Sequence, residues 1–133
     1  MTRENVEIVR GIYEKGLLDR DPDRLLALAW LDVEYVNPPE AIDPGVRRGV
    51  AEVGQALRNL SEPFDFSRNE LHELFDAGDL VVAFVSFRTR SRGSEVEVVQ
   101  EEVHTWTLRG GRIVRFEWGR DLEAGLEAAG LSE

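Results

Sequence analysis

Three glycine turns divide the C-terminal half of this 133-residue chain into four segments that each read with a period of two. Leu71, Glu73 and Phe75 alternate with His72, Leu74 and Asp76; Gly78-Asp79 leads into Leu80 to Arg90; Arg92-Gly93-Ser94 leads into Val96 to Leu108; Arg109-Gly110-Gly111 leads into Arg112 to Arg120. Alternation of this kind marks half-buried strands, and turns this short join antiparallel neighbours, so a four-stranded meander is predicted. The third segment carries the functional signal. One of its faces holds Val96, Val98, Gln100, Glu102, His104, Trp106 and Leu108. A face that only packed a core would stay apolar throughout, whereas here three polar groups interrupt it before a tryptophan, which predicts the wall of a pocket.

Ahead of the meander the period is helical. Residues 4–18 place Val6, Val9, Ile12, Tyr13 and Leu17 along one side, with Glu4 and Glu7 early, where the helix dipole favours acids, and Gly16 late enough to fray the last turn. Asp21-Pro22 reads as the N-cap and first position of a second helix carrying Leu25, Leu26, Leu28, Ala29 and Trp30. Leu31 to Val36 reads as a brief edge strand stopped by Pro38 and Pro39, and residues 40–48 as a loop. Val50 to Leu60 reads as a third helix, ended by Ser61, Pro63 and a turn at Phe64-Asp65-Phe66, and Asp121 to Leu131 as a short, weak helix. Three helices followed by strands, with no repeat or linker, predict one α+β domain over residues 1–133, its helices packed on one face of a curved antiparallel sheet.

Composition narrows the function. Twenty-six acidic residues against sixteen basic ones give a net charge of −10, which repels phosphate backbones and argues against nucleic acid as a partner. The absence of cysteine excludes disulfide scaffolds and thiol nucleophiles and favours an intracellular, cytoplasmic compartment. Two histidines, His72 and His104, are too few for a multi-histidine zinc site, and Asp19, Asp21 and Asp23 lack the glycine and terminal glutamate of a calcium loop and read as a helix cap. No metal or cofactor is therefore expected. The start, MTRENVEIVRG, has no apolar core segment, so neither a signal peptide nor a membrane partner is expected.

Charge and burial set expected registers. Thr89 opposite Val96 would pair Arg88 with Glu97 and Arg90 with Glu95. In the last hairpin a two-residue Gly110-Gly111 loop would turn Arg115 and Glu117 inward. A three-residue loop would instead bring in Val114, Phe116 and Trp118 and send Ile113, Arg115 and Glu117 out, and it is preferred because burying two charges is costlier. His104 would then face Phe116, and Glu102 would face Trp118. The outer face keeps Val82, Phe84, Val99 and Val103, and exposed apolar strand surface predicts a homodimer through the convex side.

The order of these elements, with Tyr13 on the first helix, Asp21-Pro22-Asp23, Tyr35-Val36-Asn37-Pro38, Arg48-Gly49, Val103-His104-Thr105-Trp106, Gly111-Arg112-Ile113 and the tail Leu126-Glu127-Ala128-Ala129-Gly130-Leu131, resembles the nuclear-transport-factor-2-like superfamily, and in particular its SnoaL-like polyketide cyclase branch. The resemblance implies a cone: a bent sheet wrapped around helices, with a pocket at the open end. It implies further that Tyr13 and His104 stand where ketosteroid isomerases place their oxyanion donors. Asn37 stands at the isomerase base, and Trp118 at the acid/base of the SnoaL-like cyclases. Neither an amide nor an indole can abstract a proton.

Two readings follow. In one, an isomerase, cyclase or hydrolase moves a proton on a small hydrophobic or aromatic molecule through His104, with Glu102, Asn37 and Tyr13 positioning it. In the other, the chain is a non-catalytic binding or dimerisation module that kept the fold and lost the base. The same alternatives run through single residues. His104 is either a proton carrier or a cavity-shaping group bonded to Glu102. Glu102 is either a base raised by apolar neighbours or the ion-pair partner of Arg120. Tyr13 is either a donor to the ligand or a core aromatic. Trp30, Phe87, Trp106, Phe116 and Trp118 either line a ligand surface, with Gln100 and Arg120 beside them, or fill the core. His72, beside Asp76, reads as solvated.

Overall fold

In a computed structural model, which describes residues 2–41 and 43–131, the first helix stops where Gly16 turns left-handed at φ 64°. That conformation is open to glycine without steric penalty, and a Cβ there would also press on the Arg20 side chain at 3.3 Å. The expected single helix is thus two, α1 (Thr2–Glu14) and α2 (Leu17–Arg20). The break gives α2 a phase of its own, burying Leu17 and half-burying Leu18 and Asp19.

Asp21 caps the next helix as its sequence predicts: its carboxylate accepts the Arg24 N–H at 3.2 Å, and Pro22 occupies the first turn of α3 (Pro22–Leu26). This helix is shorter than its apolar run suggests. Ala29 and Trp30 open strand β1 (Ala29–Asn37), whose Val33, Tyr35 and Val36 suit a pleated surface. Nor is β1 an edge strand. It lies parallel to a strand from the far end of the chain, and its other side is covered by β2 (Gly45–Arg48), part of the segment expected to be a loop. After α4 (Val50–Ser61), β3 (Phe64–Ala77) begins at once, so Phe64-Asp65-Phe66 is strand rather than turn. The meander continues as β4 (Leu80–Ser91), β5 (Glu97–Arg109) and β6 (Arg112–Gly119), and α5 (Leu122–Ala128) follows.

The outcome is a mixed α+β fold with five helices and one curved, unclosed six-stranded sheet in the order β2-β1-β6-β5-β4-β3 among the described residues. All its neighbours are antiparallel except β1 and β6. No helix among the described residues is long and apolar enough to cross a membrane.

Both registers differ from expectation by two residues, and because side chains alternate with period two, the faces are unchanged. Thr89 faces Val98 and Arg90 faces Glu97. The charge pairing survives diagonally: Arg88 bonds Glu97 at 2.8 Å on one neighbouring strand and Glu70 at 3.0 Å on the other. In the last hairpin His104 faces Trp118 and Trp106 faces Phe116. The loop is the two-residue form, with Gly110 and Gly111 at φ 60° and 78°. An irregularity between Thr107 and Leu108, where Val114 is the extra residue of β6, then resets the parity. That bulge does what a three-residue loop would have done for Phe116 and Trp118, while the two-residue loop itself buries Ile113, which was expected outside, opposite Leu108.

On the convex side Val82 and Val103 are buried, contrary to expectation. Helix α5 accounts for Val103, since Gly125 approaches so closely that a Cβ would lie 2.8 Å from its methyl group. Exposed Val99 and half-buried Phe84 remain, a narrower strip than the homodimer expectation was built on.

Candidate functional site

Between α2, α4 and the concave side of the sheet lies a cavity of about 240 Å³. Leu57, Phe64, Phe87 and Phe116 give it apolar walls, Tyr35 and Trp118 an amphipathic one. Burial pushes the Tyr35 phenol up to about 12, so it stays protonated. Alternation along β5 aims Gln100, Glu102 and His104 at this space while Trp106, next on the same face, passes beneath it into the core.

These polar groups form one chain of hydrogen bonds. The Trp106 indole N–H donates to the Tyr13 hydroxyl at 2.9 Å, that hydroxyl meets His104 Nδ1 at 2.6 Å, His104 Nε2 meets Glu102 Oε1 at 2.9 Å, and Gln100 Nε2 donates to Glu102 Oε2 at 2.7 Å. One assignment satisfies all of them: an ionised Glu102 accepting twice, a neutral His104 carrying its proton on Nε2, and Tyr13 donating to Nδ1 while accepting from Trp106. His104 is 2% exposed and has neither nitrogen uncommitted. Burial, only partly offset by the Trp106 hydrogen bond, pushes the Tyr13 phenol well above its ordinary value. Tyr13 also stacks on the His104 ring with centroids 5.9 Å apart, which fixes the imidazole plane.

The sequence-predicted residues separate accordingly. Glu102, His104, Gln100, Phe87, Phe116, Trp118 and Arg120 line the cavity, with Arg120 exposed at its mouth. Tyr13 and Trp106 are core groups behind the wall. Trp30 lies elsewhere, half out of the fold, donating its indole N–H to the Arg109 carbonyl at 2.8 Å. Glu102 is not the partner of Arg120; it is held by His104 and Gln100. Asn37 does not reach the cavity: it accepts the Trp118 indole N–H at 2.6 Å and donates to the Asp43 carbonyl at 2.8 Å. The two positions at which the resemblance implied a base are thus bonded to each other. His72 is not merely solvated, since its Nε2 meets the buried Ser86 hydroxyl at 2.6 Å. Among the described residues no cluster of three His, Asp or Glu side chains is placed to hold a metal ion.

Sequence reasoning missed Asp19, which was assigned to a helix cap. Released from the phase of α1 by Gly16, it borders the cavity, and its Oδ1 accepts both the backbone N–H and the side-chain amide of Asn69, at 3.0 and 2.5 Å. Burial raises its carboxyl above the ordinary value, against the lowering effect of those Asn69 bonds. The signal available in the sequence was the pair Leu17-Leu18 after Gly16, two apolar residues that make sense only if the helix restarts.

The raised carboxyl has a sign for stability. A carboxyl that binds its proton more tightly when folded stabilises the protein below the unfolded-state value of about 3.9, and that contribution is lost as pH rises through the folded value. Asp19→Asn is therefore expected to raise Tm at pH 7 and leave it unchanged near pH 3. Thermal melts at both pH values check this, and a lower Tm at pH 7 would contradict it.

A family model described as a SnoaL-like domain matches residues 9–116. Among solved structures the chain is similar to TerC co-crystallised with polyporic acid, at 28% identity over 96% of this chain and 98% of that one, with a TM-score of 0.75. It is similar also to an NTF2-like protein from Burkholderia thailandensis E264, at 26% identity over 96% and 95% of the two chains and a TM-score of 0.74. A protein from Jannaschia sp. CCS1 assigned as a SnoaL-like polyketide cyclase shares the fold, at 18% identity over 98% and 94% and a TM-score of 0.77. Comparison with curated proteins gives no match.

Proposed function

We propose, from the premise that this chain belongs to the SnoaL-like domain family, that it binds a small, flat, hydrophobic or aromatic molecule bearing a hydroxyl or carbonyl group and moves a proton on it, as an isomerase or cyclase does. The observation that carries this reading is the placement of Gln100, Glu102 and His104 on one wall of an otherwise largely apolar cavity. Gln100 keeps a second amide N–H for a carbonyl oxygen, and Glu102 keeps lone pairs for a hydroxyl. The likeness to TerC, co-crystallised with polyporic acid, supports an organic ligand of this kind.

A second reading, a binding module without catalysis, is favoured by the Asn37–Trp118 bond, which occupies both inherited base positions with groups that cannot take a proton. Binding comes first in either case. 2-Naphthol is expected to quench the fluorescence of Trp118, with naphthalene at least about tenfold weaker because it cannot replace the hydrogen bond, a difference near 1.4 kcal/mol. Ser67→Phe, which places a ring into the cavity from β3, is expected to abolish binding of both. Equal affinity for the two probes, or no effect of Ser67→Phe, would count against the polar wall as the recognition element.

A further inference from the structure

Every polar group that the family resemblance singles out is already engaged. His104 has both nitrogens bonded, Glu102 has both oxygens accepting, and Asn37 and Trp118 hold each other. Asp19 differs. Both bonds from Asn69 fall on Oδ1, and Oδ2 has no hydrogen-bond partner among the described residues.

We propose that Asp19 is the catalytic base of this site, its Oδ2 taking the proton from a carbon acid bound in the cavity while Asn69 holds the carboxylate in place. The assignment rests on the proton-transfer reading above and supplies the base that reading lacks, from α2 rather than from the sheet. Three observations converge on it. Asp19 borders the cavity on the side of α2, while the polar wall lies on β5, so a flat molecule between them has a base on one side and hydrogen-bonding groups on the other. Asn69 grips Oδ1 with a backbone and a side-chain donor, which fixes the carboxylate and leaves Oδ2 uncommitted. Asp19 also borders the outer grooves between α2 and β3, so a proton taken from the ligand can pass to solvent without crossing the ligand.

The step balances without a co-reactant. An Oδ2 lone pair forms the O–H bond, the C–H bond breaks, and its electron pair moves into the adjacent carbonyl to give an enolate, whose oxygen can meet the spare Gln100 N–H. In a β,γ-unsaturated ketone the enolate is a dienolate, and delivery of a proton from Oδ2 to its γ-carbon completes a double-bond isomerisation. A carboxylate in an apolar wall is a stronger base than one in water, and Asp19 is raised in that direction by burial.

The probe is 5-nitrobenzisoxazole, a flat aromatic carbon acid. Loss of its C–H proton to the base forms a nitrile as the ring N–O bond breaks, and the oxygen leaves as a coloured phenolate. The wild-type chain is expected to turn it over, and Asp19→Asn to lower kcat by about 10²–10⁴-fold. Asn at position 19 keeps an oxygen for Asn69 and loses only the base, and circular dichroism checks its fold. Asp19→Glu should restore part of the rate. The wild-type rate should rise with pH through the Asp19 carboxyl midpoint, and Asn69→Ala should move that midpoint upward, because the bond it removes lowers the carboxyl; a merely structural Asn69 would leave the profile in place. Turnover above the rate in buffer but equal in wild type and Asp19→Asn overturns the assignment and leaves the proton-transfer reading standing. A wild-type chain that binds 2-naphthol yet turns the probe over no faster than buffer alone overturns the assignment in favour of the binding module. A chain that binds no 2-naphthol overturns the functional reading, and the assignment of Asp19 with it.

Discussion

Replacing His104 by leucine is expected to destabilise the fold by about 3–5 kcal/mol, the range found when one member of a buried polar pair is removed. The loss has two parts. Glu102, 7% exposed, keeps only Gln100, and the Tyr13 hydroxyl loses its acceptor while still facing the Trp106 N–H. Leucine fills much of the space but can bond neither group. Urea unfolding should show the midpoint falling by at least about 1 M, given a slope of 1–3 kcal/mol per M for small domains. The double variant Glu102→Leu/His104→Leu should recover part of the loss, because it removes the stranded carboxylate, and a double-mutant cycle gives the coupling between the two. A single variant as stable as wild type would mean that water reaches Glu102 freely, and the buried chain would not exist in solution.

The second large effect belongs to Trp106, 1% exposed and packed against Phe116 at 4.4 Å between ring centroids. Trp106→Ala leaves a void that the curved sheet on one side and α1 on the other cannot close, and large aromatic truncations in a core cost about 3–5 kcal/mol. Against a total of about 5–15 kcal/mol for a domain, that makes a loss of cooperative melting near physiological temperature the expected result, read by calorimetry. Trp106→Phe separates the contributions. It keeps most of the volume and removes the N–H that Tyr13 accepts, so it should lose about 1–2 kcal/mol. Equal losses in the two variants would place the whole effect in the hydrogen bond rather than in packing.

The meander was legible because its signals are local: alternation within each strand and glycine at each turn. The polar face of β5 was legible for the same reason, and a register error of two residues left it intact, since parity decides which side a residue faces. What escaped depends on distant partners. Ala29 and Trp30 continue an apolar helical run, yet Ala29 pairs with Ile113 of the last strand and Trp30 bonds the Arg109 carbonyl, and β2 exists only because β1 offers it an edge. The bulge at Val114 has no marker in its own residues; it resolves a conflict between a two-glycine loop and the burial of Phe116 and Trp118. Asp19 was hidden by the assumption that a helix continues through its glycine. One left-handed residue turned a surface acid into a cavity acid.

The parallel pairing of β1 with β6 also sets an order of assembly. Four strands form a ladder of neighbours that can zip as they leave the ribosome, but β1, which β2 can cover early on one side, must wait for the last of them, holding Tyr35 and Val36 without their parallel partner until β6 has been made. Closing that long loop is the slow, entropically expensive event in forming the sheet. The cavity wall contributed by Tyr35 and Phe116, ring against ring at 5.5 Å, arises in that same step, so a chain stalled before it holds most of a sheet and no finished pocket.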